Sequence, residues 1–375
     1  MEFPADYADY GDLRRMGFGF GLHFRGNIFI KTLNKNLRSS ARSALSAGDY
    51  FLKKRISLFF ILFISQTLFS LDFFIAPYTG VMFGKLGEYL YEPHNDDYIV
   101  SELIWEQKPI YLLGFDLGFY GYKSTLTLTN EFGLPTSIGH MFDKDFSRDL
   151  CYNYTINENN SRFYYKTTLM YINDIYTNNT FTISPTFSLS FTYNEMYSQN
   201  GYGWYGDTIN TKLSDKVSYD NPNAIFYDIG KISGVDLSIL NFSTFLGISF
   251  SYNINLFKFS IKTMISPFSF LNYTDIHRDD FSYKRGYSKE RITYSEFYST
   301  FGELYTHFES KIYFNSKFSF NILIAYKKIY TDKDKTYLKG YYDEINNFNE
   351  FIKIGQKSKI TADFVFVTFS TEIKI

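Results

Sequence analysis

The sequence predicts an all-β transmembrane protein, an antiparallel β-barrel of about ten strands, and three observations carry that reading. Apolar and small polar residues alternate over runs of ten or more positions. Aromatic residues are abundant, with 42 Phe and 35 Tyr in 375 residues, while Pro numbers only 8. A short apolar segment follows a basic cluster near residue 55, the layout of a secretory signal peptide.

Lys53, Lys54 and Arg55 precede an apolar run at 56–64, and a more polar stretch follows at 65–70. A basic, an apolar and a polar region in that order read as a signal peptide over 53–70, cut near Ser70. The apolar run is too short for a comfortable helical span, and no later segment reaches roughly 18 apolar residues. Residues 1–52 show no sustained period. They are expected to be an upstream extension arising from a start placed too early, with translation beginning near Leu52; a genuine amino-terminal extension is the alternative. The barrel is then expected over 71–375.

Period-two patterning defines the strands, because successive side chains on a strand point to opposite faces. Tyr111, Leu113, Phe115, Leu117 and Phe119 share one parity, against Leu112, Gly114, Asp116 and Gly118. From Phe181, one face carries Ile183, Pro185, Phe187, Leu189, Phe191 and Tyr193, and the other Ser and Thr alone. Phe242, Leu246, Ile248, Phe250, Tyr252 and Ile254 form a third apolar face, followed after a tight turn by Phe257, Phe259, Ile261 and Ile265. The chain closes with Val365, Val367, Phe369, Ile373 and Ile375 against Thr368, Ser370, Glu372 and Lys374. A soluble sandwich also alternates, but its strands usually run about five or six residues. These runs are as long as a tilted span across a bilayer requires, and the Ser, Thr, Gly and Asn face suits a wet lumen. Polar stretches at 92–97, 147–161, 199–223, 274–290 and 331–349 read as the long loops of one barrel end.

Charge and cysteine content exclude other classes. A net charge of -1 gives no electrostatic footing for nucleic acid. With Cys151 as the single cysteine, an intramolecular disulfide and a multi-cysteine zinc site are both excluded. An isolated thiol of this kind is expected to be inert.

Two short motifs hold the chemistry: Asp143-Lys144-Asp145 and Asp275-Ile276-His277. Each sets ionisable side chains at i and i+2, hence on one face of a strand. Three carboxylates and one imidazole converging on a cleft can activate a water molecule. Either motif alone is a weak signal, since acidic pairs are common at solvated loop tips and loop histidines are often idle.

Their surroundings add to the signal. Gly87-Glu88-Tyr89 is followed by Ser101-Glu102-Leu103-Ile104-Trp105, then by Met141-Phe142-Asp143-Lys144-Asp145-Phe146; Arg291-Ile292-Thr293-Tyr294 trails Asp275-Ile276-His277. In order and spacing these segments resemble the omptins, ten-stranded outer-membrane endopeptidases of Gram-negative bacteria, with their Ser-x-Leu-x-Trp, Met-Val-Asp-x-Asp-Trp and Arg-Ile-Thr-Tyr segments. The resemblance covers most of 71–375. It implies an aspartate couple and an Asp–His dyad on opposite sides of an extracellular groove. His277 would be the general base, Asp275 would orient it, Asp143 would hold the attacking water, and Asp145 would support the couple. It implies no covalent intermediate, no metal and no cofactor. A metal site built from these same residues is the competitor, disfavoured by the single imidazole.

The resemblance also implies substrate and lipid contacts. Glu88 falls where the family keeps an acid at the groove base for basic substrate residues. A second family acid corresponds to Tyr273, so a weaker or broader preference for Arg and Lys is expected. The family's lipopolysaccharide motif, Tyr-x-Glu-x-Arg, corresponds to Tyr193, Glu195 and Tyr197, where loss of the guanidinium puts lipopolysaccharide dependence in doubt. The expected partners are polypeptides with basic residues and outer-membrane lipid, with no nucleic acid, and the barrel is expected to be monomeric. Two other readings stay open: a catalytically silent barrel acting as a surface adhesin, and a plain pore, which a narrow ten-stranded barrel disfavours.

Overall fold

The structure is a computed structural model that describes residues 72–375 apart from 94, 207–215, 231–233, 280–288 and 340–351. The expected signal peptide and the segment before it lie outside the described residues. Among those residues every element is a strand. The first five are β1 (Asp72–Glu92), β2 (Asn95–Tyr120), β3 (Ser124–Gly133), β4 (Thr136–Ser147) and β5 (Leu150–Asn173). Next come β6 (Tyr176–Thr177), β7 (Phe181–Tyr205), β8 (Ile225–Gly230), β9 (Gly234–Ile254) and β10 (Phe257–Asp279). The last five are β11 (Lys289–Ser299), β12 (Glu303–Tyr313), β13 (Phe318–Tyr330), β14 (Asp334–Lys339) and β15 (Ile352–Lys374).

All pairings are antiparallel, and the sheet closes on itself because β1 pairs with both β2 and β15. Three wall positions are interrupted: β3 and β4 both lie between β2 and β5, β11 and β12 both follow β10, and β13 and β14 both flank β15. With β6 and β8 as short additions to β7, the wall has ten positions, the number expected. The break between β3 and β4 falls at Pro135, which has no N–H to give a ladder.

Parity sorts the residues as the alternation requires. Thr182, Ser184, Thr186, Ser188 and Ser190 of β7 are buried inside. Leu246, Ile248, Phe250, Tyr252 and Ile254 of β9 are exposed outside. On β1 the outward apolar set runs from Ile75, opposite Ile373, up to Phe83, opposite Val365. That stretch makes an apolar band roughly 20 Å tall at a strand tilt of about 40°.

The interior has three levels. The lowest is polar and cross-linked by charge: Lys311 lies 2.6 Å from Glu372, Lys327 lies 3.0 Å from Glu303, and Lys166 lies 3.6 Å from Glu131. Lys311, Glu372, Lys327, Lys166 and Glu131 line a cavity of about 250 Å³. Above it sits an apolar plug that includes Met82, Leu86, Leu103, Trp105, Ile110, Met141, Met196, Leu237, Tyr273, Phe297 and Ile360. Glu88, Asp143 and Asp275 each follow a plug residue by two positions on their strands, so they form the third level, directly on the plug.

The loop expected at 147–161 is instead the turn between β4 and β5 and the first half of β5. Its alternation carries polar side chains inward, with Asn153, Thr155, Asn157, Asn159 and Ser161 all buried. An inverted polarity looks like a loop when read as composition. The stretches at 199–223 and 274–290 are also shorter than expected, since β7 continues to Tyr205 and β10 to Asp279.

Glu303 is buried and accepts hydrogen bonds from Asn241 and Ser243 beside Lys327. Glu303→Ala strands the Lys327 ammonium in the lumen and is expected to cost about 3–5 kcal/mol, whereas Glu303→Gln with Lys327→Met removes both charges at little cost. Heat-modifiability on gels tests this; a single variant as stable as the parent contradicts it. Burial pushes the Cys151 thiol up to about 11, against a smaller opposing effect of Lys144. Iodoacetamide labelling of the folded protein at pH 8 should therefore run about a hundredfold slower than that of an ordinary thiol. Labelling at the ordinary rate contradicts it.

Candidate active site

Strand β10 places Asp275 opposite Leu237 and Thr293, and His277 opposite Val235 and Arg291. Both side chains point inward and are buried, Asp275 at 2% and His277 at 9% exposure. The His277 Nε2 is 2.7 Å from Asp275 Oδ2. With the carboxylate ionised, and so able only to accept, Nε2 is the donor and the neutral ring carries its lone pair on Nδ1.

One inward rung below, Tyr273 is fully buried and stacks on Phe297 with centroids 6.0 Å apart. Burial, then the carboxylates of Glu88 and Asp275, push its phenol well above the ordinary range, and the Ser358 and Ser295 hydroxyls oppose that shift. Tyr273 is thus a neutral group between two acids. It lies where a second carboxylate would have to share a dry pocket with both of them.

On the other wall, Asp143 of β4 stands opposite Leu103 of β2 and Thr155 of β5, and Asp145 stands opposite Ser101 and Asn153. Both are half-buried and share the inward face. Asn153 Nδ2 donates to Asp145 Oδ2 at 3.2 Å. Leu103 is also opposite Glu88 of β1, so Glu88 and Asp143 lie on one row, two strand spacings or about 10 Å apart. Glu88 is buried at 4% exposure.

Around the upper ring β4 and β10 are separated by β5, β7 and β9 one way and by five strands the other. The two acidic motifs therefore look across the barrel mouth from opposite walls. Asp275 and His277 are in contact, Glu88 and Asp275 both bear on Tyr273, and Glu88 and Asp143 share a row. Among the described residues no three His, Cys, Asp or Glu side chains are grouped closely enough to hold a metal ion.

Tyr193 and Glu195 lie on the outer face of β7, away from this mouth. Tyr193 donates its hydroxyl to Glu195 at 3.4 Å. A guanidinium is present there after all, from β5 rather than from position 197. Arg162 Nη1 is 2.6 Å from Glu195 and 3.4 Å from Asp236, and the group stacks over Tyr197 at 4.9 Å. No spacing in the sequence links Arg162 to Tyr193 and Glu195; only the β5–β7 register does. Asn153 was hidden for a related reason, because its strand looked like a loop.

The omptin family model matches residues 70–362. The barrel is similar to the outer membrane protease OmpT from Escherichia coli, with a TM-score of 0.67 and 13% identity over 81% of this chain and 97% of that one. It also aligns with the translocator domain of the autotransporter NalP from Neisseria meningitidis, at TM-score 0.26 and 8% identity over 85% of this chain and 95% of that one, too low to bear on the fold. No curated protein matches the chain. The family match supports an outer-membrane location and a protease-type function, and the shared barrel shows the fold. With most of its length matched, the chain belongs to the omptin family.

Proposed function

We propose that this barrel is an omptin-type endopeptidase whose groove opens to the outside of the cell and hydrolyses peptide bonds near basic residues. The observation that carries the reading is the buried contact of 2.7 Å between His277 and Asp275 on the wall facing Asp143 and Asp145. In this mechanism Asp275 fixes the imidazole and stabilises its cation, and Nδ1 takes a proton from a water held by Asp143. The water oxygen bonds to the scissile carbonyl carbon. The imidazolium then returns its proton to the amine nitrogen as the carbon–nitrogen bond breaks. Asp145, held by Asn153, supports Asp143. Because water is the nucleophile, no residue is acylated.

Glu88 supplies one buried negative charge at the groove base, and Tyr273 supplies a neutral hydroxyl beside it. A single carboxylate attracts Arg or Lys but discriminates less than two would. On the outer wall, Tyr193 and Glu195 form a candidate lipid contact with Arg162. The guanidinium there already faces two carboxylates, which favours weak lipopolysaccharide dependence. The barrel acts as a monomer in this reading, since its groove is built within one closed sheet.

Cleavage of quenched peptides containing Arg-Arg or Lys-Lys tests the mechanism in detergent-refolded protein. His277→Ala and Asp143→Ala should each lower kcat/KM by about 10³-fold or more. Cleavage that survives both substitutions overturns the assignment, and no cleavage across a broad peptide library favours the silent adhesin. Tyr273→Asp should widen the ratio of basic to neutral substrates by about tenfold. An unchanged ratio would remove Glu88 and Tyr273 from the specificity pocket.

A further inference from the structure

The outer face formed by β13, β15 and β1 changes character within two residues. Phe83 of β1 faces Val365 of β15, which faces Tyr326 of β13. The next outward rung is Lys85, Asp363 and Lys328. Tyr330 and Thr361 follow, then Lys359 opposite Tyr89, then Lys357 opposite Lys335 of β14. The intervening residues of β15, Ser358, Ile360 and Ala362, are buried inside, which fixes the lysines between them to the outer face.

Five lysines thus gather on one wall directly above the apolar band. Asp363 is the carboxylate among them, lying 4.0 Å from Lys328 and accepting the Tyr326 hydroxyl. Glu106 of β2 stands opposite Lys85, but Lys108 holds it at 2.7 Å and His140 lies 3.6 Å away. Asp334 is opposite the inward Ser358, and Asp332 is balanced in charge by its neighbour Lys333. Glu102 of β2, opposite Tyr89, lies 3.5 Å from Lys144, so among the described residues the wall carries an excess of positive charge. The opposite situation holds on the β5–β7–β9 wall, where Arg162 sits between Glu195 and Asp236.

The geometry points to a binding site for anionic, phosphate-bearing lipid headgroups on the β13–β15–β1 wall, in the leaflet at the groove end of the barrel. Flexible ammonium groups on long apolar stems reach phosphates while the stems lie along the wall. Tyr326, Tyr330 and Tyr89 interleave with them, as aromatic residues do at a headgroup boundary. The Lys359 ammonium packs 3.9 Å from the Tyr330 ring centroid, which aims it along the wall. A lipid is the occupant because the cluster starts one rung above the last apolar residues, where headgroups lie. Each lysine at such a surface contributes about fivefold in affinity. The site stands apart from the proposed catalytic groove, so it holds whether or not the barrel cleaves peptides.

Native mass spectrometry of the protein in mixed micelles provides the test, with phosphatidylglycerol as the anionic probe and phosphatidylcholine as the zwitterionic one. The parent should retain phosphatidylglycerol in preference to phosphatidylcholine. Lys85→Gln, Lys328→Gln and Lys359→Gln combined should lower phosphatidylglycerol affinity about a hundredfold, while Lys317→Gln, in the exposed turn between β12 and β13 at the other barrel end, should leave it unchanged. Equal retention of both lipids, or undiminished binding by the triple variant, overturns the site. Displacement of the lipid by millimolar inorganic phosphate also overturns it, by showing a site for dissolved anions. A triple variant that fails to refold shifts the test to the parent: binding should weaken more than tenfold on raising NaCl toward molar, and salt-independent binding refutes the proposal.

Discussion

Closure of the sheet through the β1–β15 pairing is the constraint on which the rest of this protein depends. It leaves no edge at that seam and fixes one inside and one outside for the strands of the wall. Once the faces are fixed, residues two apart on a strand must share a destination. Asp143 and Asp145 then enter the mouth together, as do Asp275 and His277. The same rule sends the Phe, Leu and Ile partners of the lumen's Ser and Thr residues outward into the apolar band.

The order of the three interior levels matters chemically. Ion pairs such as Lys311–Glu372 and Lys327–Glu303 fill the lower lumen. The plug of Trp105, Met141, Leu237 and Phe297 separates them from the mouth. A carboxylate–imidazole contact on an apolar floor is stronger than one in water, because the surroundings screen it less. Tyr273 extends that floor upward between Glu88 and Asp275, replacing charge with an aromatic ring and a neutral hydroxyl.

Much of this was legible in the residues themselves. The period-two runs from Phe181 and Phe242 gave the outer faces, and the spacing of the two acidic motifs gave their inward pairing. What escaped reading depended on register. Residues 150–161 are polar inside and therefore looked like a loop, which hid Asn153 beside Asp145. Arg162 reaches Glu195 across two strands, and Lys85, Lys328 and Lys359 come from three, so no local window could assemble either group. The influence of the Glu88 carboxylate on Tyr273 likewise depends on how the strands are arranged, since β1 and β10 are far apart in sequence.

In the proposed mechanism the two walls act on one water molecule. An experimental structure of the refolded protein, refined with ordered solvent, tests it most directly. A single water is expected within hydrogen-bond reach of both His277 Nδ1 and an Asp143 carboxylate oxygen, which requires those atoms to lie no more than about 6 Å apart. A separation beyond about 8 Å with no shared water would contradict it.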